Sequence, residues 1–552
     1  MNRSITVITA IILIIIFGLF GAKAFFHHGF YTSHDGEHQL VRQYIFDRGL
    51  RDGQIPVRFS RQLYNGYGYP LFMFTYRLPF YAGEMLRLSG FSFADSIKAV
   101  FLIAYIFSGL AMFWFGRRWG NFAGVIAAIL YMWAPYRFSV MFVRAALGEH
   151  TAAVFVPLLF GSISSGKKVK INVVSGVVAI AGLFLSHAMM AQIVLLMFIP
   201  WAVGNWWLSK EKKYFVRRLV LMLLLGVGLA AYYLVPAAAY RGLTQKLNPN
   251  YFSDHFVTLR QLVYSPWGYT FSMKGTENDG MSFQIGIAQW LIVGLAIFVC
   301  LKRILLAVRQ GESLKETSGA LVMVLIFFLS IFLMTEKSAF VWNRWKNYIN
   351  IDMPWRFLLM TTFAASALAA VSFKGLTFAE AKVRPLLAIV LLGLAVYTNR
   401  NHLRVNEYFD YPDSRLAKYR GTSNSDNEYR PKWDDGGIAN TISKEAVISQ
   451  GSGDLTVIRN KSNLLELGVR ADENIRLDIN TFYFPGWKVF VDGRNSYFKY
   501  VGEKGIMRVD LTEGYHLVEA KFSESSMAAV GDLISIICFI ILIIVIKNHE
   551  KI

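Results

Sequence analysis

The chain alternates between long apolar runs and shorter polar stretches. The first run, residues 5–20, contains no charged residue. Such runs approach the roughly 20 apolar residues that cross about 30 Å of hydrocarbon as a helix. Reading each run to the nearest charge or turn residue predicts about twelve membrane spans, near residues 5–22, 99–116, 121–135, 150–164, 171–186, 188–205, 217–236, 284–301, 319–334, 357–373, 385–398 and 529–546.

The composition also indicates a membrane protein. Of the 552 residues, 54% are hydrophobic and only 17% are charged, whereas soluble domains carry about a quarter charged residues. These values exclude soluble, disordered, collagen-like and disulfide-scaffold classes. The two cysteines, Cys300 and Cys538, lie in apolar runs, so neither a disulfide framework nor a cysteine metal site is indicated.

Lysine and arginine in the short loops predict the orientation, because basic residues near span ends stay in the cytoplasm. The basic clusters share one side if both termini are cytoplasmic. They are Arg117 and Arg118, Lys167 to Lys170, Lys210 to Arg218, Lys302 to Arg309, Lys374 to Arg384, and Lys547. The net charge of +20 is then explained by topology in the plasma membrane and by attraction to anionic lipid. No nucleic-acid partner is expected.

The start of the chain has two interpretations. Residues 22–24, Ala-Lys-Ala, resemble a signal-peptide cleavage site. The preceding apolar run is longer than the 7–15 residues usual in signal peptides. We therefore interpret residues 5–22 as a retained first span, with cleavage as the alternative.

This orientation places every long polar segment outside. Residues 1–398 form a predicted transmembrane domain with a long first external loop, 23–98. Residues 399–528 form an external β-rich domain, and residues 529–552 form a final anchor with a cytoplasmic tail. External space contains neither ATP nor nucleotide sugars, so any energy must come with the substrate.

Alternating polar and apolar residues predict short strands within residues 399–528, for example in IRLDINTF and YHLVEAKF. Asp492-Gly493 predicts a hairpin turn between residues 487–491 and 495–501. We expect a small antiparallel sandwich or jelly-roll-like module. Because it lacks clustered histidines or carboxylates, a binding or shielding role is favoured over catalysis.

The first external loop begins with a dense group of ionisable residues, namely His34, Asp35, Glu37 and His38. A carboxylate here can act as a general base or hold a divalent ion with histidine. The alternative is a solvated loop in which Ser33 or Asp35 caps a helix.

Aromatic residues and arginine follow in the same loop. Tyr67 and Tyr69 suit headgroup depth, and Arg58 suits a phosphate. A membrane-anchoring belt explains the tyrosines equally well, but Arg58 is harder to explain as an anchor.

Further ionisable residues lie at the predicted outer ends of spans: Arg144, Glu149, His150, His187 and Arg356. Charges at that depth are costly unless they face a partner or a wet cavity. His187 alone is equally consistent with capping a turn, and Arg356 with snorkelling to the headgroups. The topology nevertheless places residues from four separate segments on one face.

These features together resemble the GT-C superfamily of polytopic glycosyltransferases. They are an Asp and many aromatics in the first external loop, an acid ending the second, Pro354-Trp355-Arg356 before a late span, and a terminal external β-module. The residues from Phe484 to Gly493 and from Gly514 to Glu519 resemble the C-terminal module of bacterial YfhO-type membrane proteins. The chain is also similar to the set labelled as membrane proteins with a 6-pyruvoyl-tetrahydropterin-synthase-related domain, although no residue here supports a pterin.

The resemblance implies inverting transfer of a hexose or pentose from a polyprenyl-phosphate lipid to a cell-surface polymer, glycolipid or protein. It implies that Asp35 is the base and that Arg356, with Arg58 or Arg144, stabilises the leaving phosphate. Glu149 and His187 would complete the catalytic group, and with Asp35 they are the candidate ligands of a divalent metal ion. The candidate substrate-binding residues are His34, Glu37, His38, Tyr67, Tyr69 and His150.

The second loop departs from the family pattern, because Glu149-His150 stands where many members carry an acidic pair, which puts metal dependence in doubt. Two other functions remain open, a lipid or glycolipid flippase and a non-catalytic polymer-binding scaffold. Transporters usually show two similar halves and ionisable groups near mid-membrane, and the sequence shows neither. A scaffold would be unaffected by Asp35→Asn.

Overall fold

A computed structural model describes residues 6–164, 170–245, 248–275, 279–310, 315–349, 351–375, 383–424, 427–434, 441–501 and 505–547. Within these ranges the chain is mainly helical. The helices are α1 (Val7–Gly21), α2 (Gly36–Arg51), α3 (Leu71–Phe74), α4 (Leu78–Leu88), α5 (Phe93–Gly116), α6 (Asn121–Met132), α7 (Pro135–Phe138), α8 (Leu147–Ser162), α9 (Val173–Ser186), α10 (Ala188–Leu208), α11 (Lys212–Leu229), α12 (Ala231–Tyr240), α13 (Leu259–Val263), α14 (Ile287–Gln310), α15 (Lys315–Met334), α16 (Ala339–Trp345), α17 (Leu358–Gly375), α18 (Arg384–Asn399), α19 (Asp413–Lys418) and α20 (Ser526–Lys547).

Six helical segments of the described chain are long and apolar enough to cross a membrane. They are Phe93–Trp119, Ala188–Leu208, Ile287–Arg309, Thr317–Met334, Pro354–Lys374 and Ser526–Lys547. The number becomes eight if each of two bent helix pairs counts as one span. The prediction of a mainly helical protein with several apolar spans is therefore confirmed, whereas the count of about twelve is not.

The segment Pro354–Lys374 lies at the centre of the helical part. Of its most apolar stretch of 18 residues, 94% is buried inside the protein. It is packed against α5, α6, α14 and α15. Its buried face is rich in small residues such as Ala364 and Ala367, which let neighbouring helices approach closely. This central position fixes Arg356, which lies in its first turn.

The β-rich part is built from antiparallel strands packed as two sheets. The strands of the described residues are β1 (Phe30–Tyr31), β2 (Ile163–Ser164), β3 (Lys170–Ile171), β4 (Tyr408–Phe409), β5 (Ala446–Gln450), β6 (Gly453–Asn460), β7 (Leu464–Ala471), β8 (Ile475–Phe482), β9 (Trp487–Val491), β10 (Arg494–Ser496), β11 (Lys499–Val501), β12 (Ile506–Leu511) and β13 (Gly514–Phe522). One sheet has the order β10-β9-β13-β7-β6 and the other β11-β12-β8-β5. Alternating apolar side chains, including Leu467, Leu477 and Val489, form the core between them.

The predicted hairpin at Asp492-Gly493 is confirmed. Val491 pairs with Arg494, and the two turn residues have φ angles of 51° and 75°. Two successive positive φ values define the turn that matches the twist of paired strands.

The described residues between α18 and β5 do not belong to these two sheets. Strand β4 pairs with β1, so that Phe30 lies opposite Phe409. Gln62 of the first external loop donates hydrogen bonds to the carbonyls of Leu416 and Tyr419, both at 3.0 Å. This segment therefore packs on the first external loop.

Candidate active site

Glu149, in the first turn of α8, is the centre of a buried charged cluster. Only 1% of its surface is exposed. The Tyr136 hydroxyl donates to Oε1, while Nη1 of Arg144 and Nη1 of Arg356 both lie 2.7 Å from Oε2. A buried carboxylate bound by two guanidinium groups and a phenol is satisfied in its ionised form.

Arg356 joins Glu149 to a second carboxylate, Asp352. Its Nε and Nη2 donate to the two oxygens of Asp352 at 2.8 and 3.0 Å. Burial alone raises the pKa of Asp352, but the charge and hydrogen bonds of Arg356 outweigh burial, so the pKa lies below its ordinary value. All three nitrogens of Arg356 therefore bond carboxylates.

Trp355 forms the apolar wall of this cluster. The guanidinium carbons of Arg144 and Arg356 lie 4.6 and 5.5 Å from its ring centroid, within the range of cation–π attraction. The Tyr136 ring lies 6.4 Å away. The indole therefore positions both arginines beside Glu149.

A bend and an irregular turn in the backbone between α6 and α8 place Tyr136 and Arg144 at Glu149. The two apolar helical stretches Asn121–Met132 and Pro135–Val143 meet at 50°. Pro135 begins the second stretch, and a π-helical turn follows over Ser139–Val143. Ala145 then takes a φ of 49°, a conformation that costs energy for a residue with a Cβ. Such irregular backbone is frequent at functional sites.

His187 lies between α9 and α10 and faces the same cluster. Its Nδ1 accepts a hydrogen bond from the Met190 amide at 3.2 Å, which caps α10. Burial, followed by the charge of Arg356, lowers its pKa to about 4, against the opposing effects of Glu149 and Asp352. His187 is therefore neutral at pH 7.

The backbone of Asp35 is hydrogen-bonded to the segment that carries Arg144. Its amide donates to the carbonyl of Arg144 at 2.9 Å, and the His34 amide donates to that of Val143 at 3.0 Å. The partly buried Asp35 carboxylate makes no hydrogen bond or ion pair within the described part of the chain. An acid without such a partner, on a backbone bonded to that of Arg144, is available to act as a general base.

Tyr76 links the Asp35 side of the site to His187. Its hydroxyl lies 3.4 Å from Oε1 of Gln39, one helical turn after Asp35. Its ring centroid lies 5.7 Å from that of His187. A Cβ at Gly148 would stand 2.5 Å from the Tyr76 ring and 2.4 Å from the Ser186 carbonyl. Glycine at 148 therefore permits this contact.

The other ionisable residues around Asp35 do not take part in the hydrogen bonds of the arginine cluster. Burial and Arg144 lower the pKa of His34, whose Nε2 lies 3.3 Å from the Tyr269 carbonyl. Glu37 accepts a hydrogen bond from Tyr411. Burial and Arg42 lower the pKa of His38. All three lie near Asp35 in the chain, and none bonds Glu149 or Arg356.

Arg58 is not brought to the cluster. Its Nε lies 2.9 Å from Glu524, its Nη2 2.9 Å from Asp532, and its Nη1 3.0 Å from the Tyr232 carbonyl. Two carboxylates already neutralise this buried guanidinium. The prediction that Arg58 assists the leaving phosphate is therefore replaced by a role in joining the first external loop to α20.

His150, Tyr67 and Tyr69 also lie elsewhere. His150 turns towards α5, with Nε2 3.0 Å from the Phe101 carbonyl. The Tyr67 ring centroid lies 5.5 Å from that of Phe482. The fully buried Tyr69 hydroxyl accepts a hydrogen bond from the Tyr429 amide at 2.9 Å. The two tyrosines thus pack between the first external loop and the β-rich part, and their role in substrate binding stays a prediction.

Sequence reasoning missed Asp352, Trp355, Tyr136, Tyr76 and His255 as members or neighbours of the site. Asp352 stands four residues before Arg356, the spacing that brings side chains together in a helical turn, so a signal existed. Burial lowers the pKa of His255, and the largest opposing effect is the charge of Asp352. No local pattern distinguishes Tyr76 or His255 from ordinary loop residues.

The donor set does not fit the predicted divalent metal. Both oxygens of Glu149 already accept hydrogen bonds: Oε1 from Tyr136, and Oε2 from the guanidinium groups of Arg144 and Arg356. Among the described residues, no group of three or more His, Cys, Asp or Glu side chains is arranged to hold a metal ion. Asp35, Glu149 and His187 therefore do not form the metal site that the sequence suggested.

Comparison with known proteins gives a distant structural likeness. No family model matches the chain, and no curated protein matches it. A cryo-EM structure of the arabinofuranosyltransferase AftD from Mycobacteria is similar with a TM-score of 0.45 and 10% identity, covering 72% of this chain and 27% of that one. A mutant of the same enzyme gives 0.42 and 12%, covering 75% and 29%. The chain thus spans less than a third of the length of either structure.

Proposed function

We propose that the protein is a membrane glycosyltransferase of the GT-C type. It moves a hexose or pentose from a polyprenyl-phosphate lipid to an acceptor on the extracytoplasmic face, with inversion at the anomeric carbon. The observation that carries the proposal is the Asp35 carboxylate, which has no partner among the described residues, on a backbone bonded directly to that of Arg144. The backbones that carry the proposed base and the proposed phosphate-binding cation are thus joined to each other.

In the proposed step, the acceptor hydroxyl attacks the anomeric carbon. Its proton passes to the Asp35 carboxylate, and the bond between the anomeric carbon and the phosphate oxygen breaks. The electron pair of that bond leaves with the polyprenyl phosphate. Preorganised cations stabilise charge that develops in this way.

The hydrogen bonds favour Arg144 over Arg356 as the phosphate ligand. Arg356 uses all three nitrogens on Asp352 and Glu149. Among the described residues Arg144 bonds Glu149 through Nη1 alone, which leaves Nε and Nη2 for a phosphate oxygen. We therefore assign Arg356 and Glu149 to holding Arg144, and neutral His187 to orienting the acceptor.

The position of the cluster supports a transferase over a flippase. Glu149, His187 and Arg356 lie at the ends of helices and not near their middles, whereas transport sites lie near mid-membrane. We place this end on the extracytoplasmic side of the plasma membrane, with both termini in the cytoplasm. The acceptor is then a polymer, glycolipid or protein of the cell envelope.

The test uses the full chain in liposomes. The vesicles contain undecaprenyl phosphate linked to a panel of labelled hexoses and pentoses, and a membrane extract supplies acceptors. We expect Asp35→Asn to lower transfer at least about a hundredfold, the usual loss for a general base. The control is Asp410→Asn, since the exposed Asp410 pairs only with exposed His28 at 3.3 Å. Equal transfer by Asp35→Asn and the unmodified chain, or no transfer from any donor, contradicts the proposal.

A further inference from the structure

A line of buried polar side chains runs along one face of α2. Asp35 precedes the helix, and Gln39, Gln43 and Asp47 follow at intervals of four residues, the spacing that places side chains above one another. Gln39, Gln43 and Asp47 are all buried, and we call these three side chains the polar stripe. Because a buried polar group is costly unless it is hydrogen-bonded, the stripe fixes which elements α2 packs against.

The first residue of the stripe contacts the candidate active site. Gln39 Nε2 donates to the Ala145 carbonyl at 3.2 Å, and its Oε1 lies 3.4 Å from the Tyr76 hydroxyl. Ala145 follows Arg144, whose carbonyl accepts from the Asp35 amide. The stripe therefore determines where the start of α2, and with it Asp35, lies in the site.

The middle of the stripe holds α2 against α4. Gln43 Nε2 donates to the Phe80 carbonyl at 3.3 Å and to Oε2 of Glu84 at 3.2 Å. A Cβ at Gly83 would collide with Gln43 Oε1, so glycine at this position permits the close approach of the two helices. Helix α4 begins two residues after Tyr76. This contact therefore sets the positions of Tyr76 and α2 relative to each other.

The far end of the stripe is a pair of buried carboxyl groups. Asp47 and Glu84 are each 6% exposed, and their carboxyl groups are hydrogen-bonded to each other. We call them the acid pair. Such a bond requires one proton, because an ionised carboxylate only accepts. Arg51 Nε donates to Oδ1 of Asp47 at 3.1 Å, which leaves the proton on Glu84. Burial, followed by the charge of Asp47, raises the pKa of Glu84 from 4.5 to about 7.

The charged groups around Glu84 do not substitute for its proton. Arg51 and, on α4 itself, Arg87 act against the rise of its pKa. On α5, which packs on α4, Asp95 and Lys98 pair with each other at 2.9 Å. Helix α9 also packs there and has no ionisable residue, and the ionisable residues of α8 are bound as described above. Loss of the proton would therefore place two like charges against each other in a buried contact.

We propose that Glu84 is a positioning residue that keeps α2 docked on α4, and so holds Asp35 in the candidate active site, only while its carboxyl group is protonated. When the proton is lost, repulsion within the acid pair opens the contact, and α2 carries the movement to its other end. Asp47 lies about 18 Å along the helix from Asp35, at 1.5 Å per residue. The effect on transfer rests on the proposed function, whereas the opening of the contact does not.

The direction of the pH effect follows from the raised pKa of Glu84. Between about 4.5 and 7 the folded chain binds a proton that the unfolded chain does not, so the contribution of Glu84 to stability is complete below about 4.5 and is lost as the pH rises through about 7. His187, with a pKa of about 4, stays neutral above about pH 6.5. Measurements at about pH 6.5 and about pH 8.5 therefore report on Glu84 and not on His187.

Amide hydrogen exchange tests the contact without requiring turnover. The full chain in detergent is measured at both pH values, and the rates are corrected for the intrinsic pH dependence of exchange. We expect exchange in α2 and α4 to be at least about fivefold faster at the higher pH, with β7 unchanged. In Glu84→Gln, whose amide can donate to Asp47 at either pH, α2 and α4 should exchange equally at both.

The control for exchange is Glu513→Gln, at an exposed position between β12 and β13, which should behave like the unmodified chain. Equal acceleration in Glu84→Gln and in the unmodified chain, or acceleration in neither, would overturn the proposal.

The transfer assay gives a second test on the same variants. The rate should fall at least about threefold from pH 6.5 to pH 8.5 in the unmodified chain and in Glu513→Gln, because Asp35 is displaced. In Glu84→Gln the rates at the two pH values should agree within about 1.5-fold. A fall of the same size in Glu84→Gln would overturn the positioning role even if Asp35→Asn abolishes transfer. If the chain transfers no sugar but exchange responds as expected, the proposed function fails while the acid pair still controls the docking of α2.

Discussion

The backbone amide of Asp35 donates a hydrogen bond of 2.9 Å to the carbonyl of Arg144. The two residues are more than a hundred positions apart in the chain, and this bond ties the beginning of α2 to the loop that carries Arg144. Any shift of that loop therefore moves the Asp35 carboxylate as well. The geometry of the site depends on the backbone of Ala145, which follows Arg144.

Ala145 provides a direct test of this dependence. Its positive φ of 49° is tolerated by glycine and disfavoured for a β-branched residue. We expect Ala145→Gly to retain most of the transfer activity. Ala145→Val should lower transfer at least about tenfold, because it displaces the Arg144 carbonyl from Asp35. Comparable activity of the two variants would show that this turn does not position the site.

Removing the charge of Glu149 should destabilise the protein. Glu149→Gln leaves Arg144 and Arg356 facing a neutral, buried amide, and the loss of one partner of a buried ion pair costs roughly 3–5 kcal/mol. We expect a clear fall in the apparent melting temperature in detergent. The exposed Glu513→Gln variant controls for the chemistry of the change. An unchanged melting temperature for Glu149→Gln would show that the ion pairs of Glu149 do not stabilise the folded protein.

His187 makes stability depend on pH in a defined direction. Its pKa is about 4 in the folded protein, against an ordinary value of 6.5. Between these values the unfolded chain binds a proton that the folded chain does not, so this residue makes stability fall as the pH drops from about 6.5 to 4. Above about 6.5 its contribution is constant.

The variant His187→Asn isolates this effect, because asparagine can still cap α10. We expect a flatter fall of melting temperature over that pH range than in the unmodified chain. Parallel curves for His187→Asn and the unmodified chain would show that His187 does not titrate in this way.

Replacing Arg58 should lower the stability of the fold and leave donor binding unchanged. Arg58→Gln removes the pairs with Glu524 and Asp532 and leaves two carboxylates unpaired near α20. We expect a lower melting temperature with an unchanged KM for the lipid donor, measured on the folded fraction. Asp532→Asn should lower the melting temperature in the same direction. A raised KM with normal stability would instead restore the phosphate-binding role that the sequence suggested for Arg58.

The regular helices and hairpins could be predicted from the sequence because local residue patterns determine them. Apolar runs predict membrane helices, and Asp492-Gly493 specifies its own hairpin through two positive φ angles. The number of spans could not be predicted in the same way. Helices α1, α9 and α18 are apolar but only 15, 14 and 16 residues long, and two further apolar stretches are bent by 50° and 71°. Hydropathy registers neither the ends of helices nor such bends.

The candidate site could be predicted from the sequence only in part, because the partners of its charged residues lie far apart in the chain. Topology predicted that Glu149, His187 and Arg356 share one face, and the structure places them around one cluster. Charge alone could not separate Arg58 from Arg144, since both follow apolar residues near a predicted membrane surface. Their roles differ through distant partners, Glu524 for one and Glu149 for the other. Sequence separation hides such pairings.

The pairing of β1 with β4 has a practical consequence for dissecting the molecule. Phe409 supplies the edge to which Phe30 is bonded, only five residues before Asp35. A fragment that stops after α18 would expose this edge and loosen the chain leading into α2. Shortened versions made to separate the helical part from the sheets should therefore keep the residues up to at least Tyr419, or inactivity in such fragments would be wrongly attributed to the missing sheets.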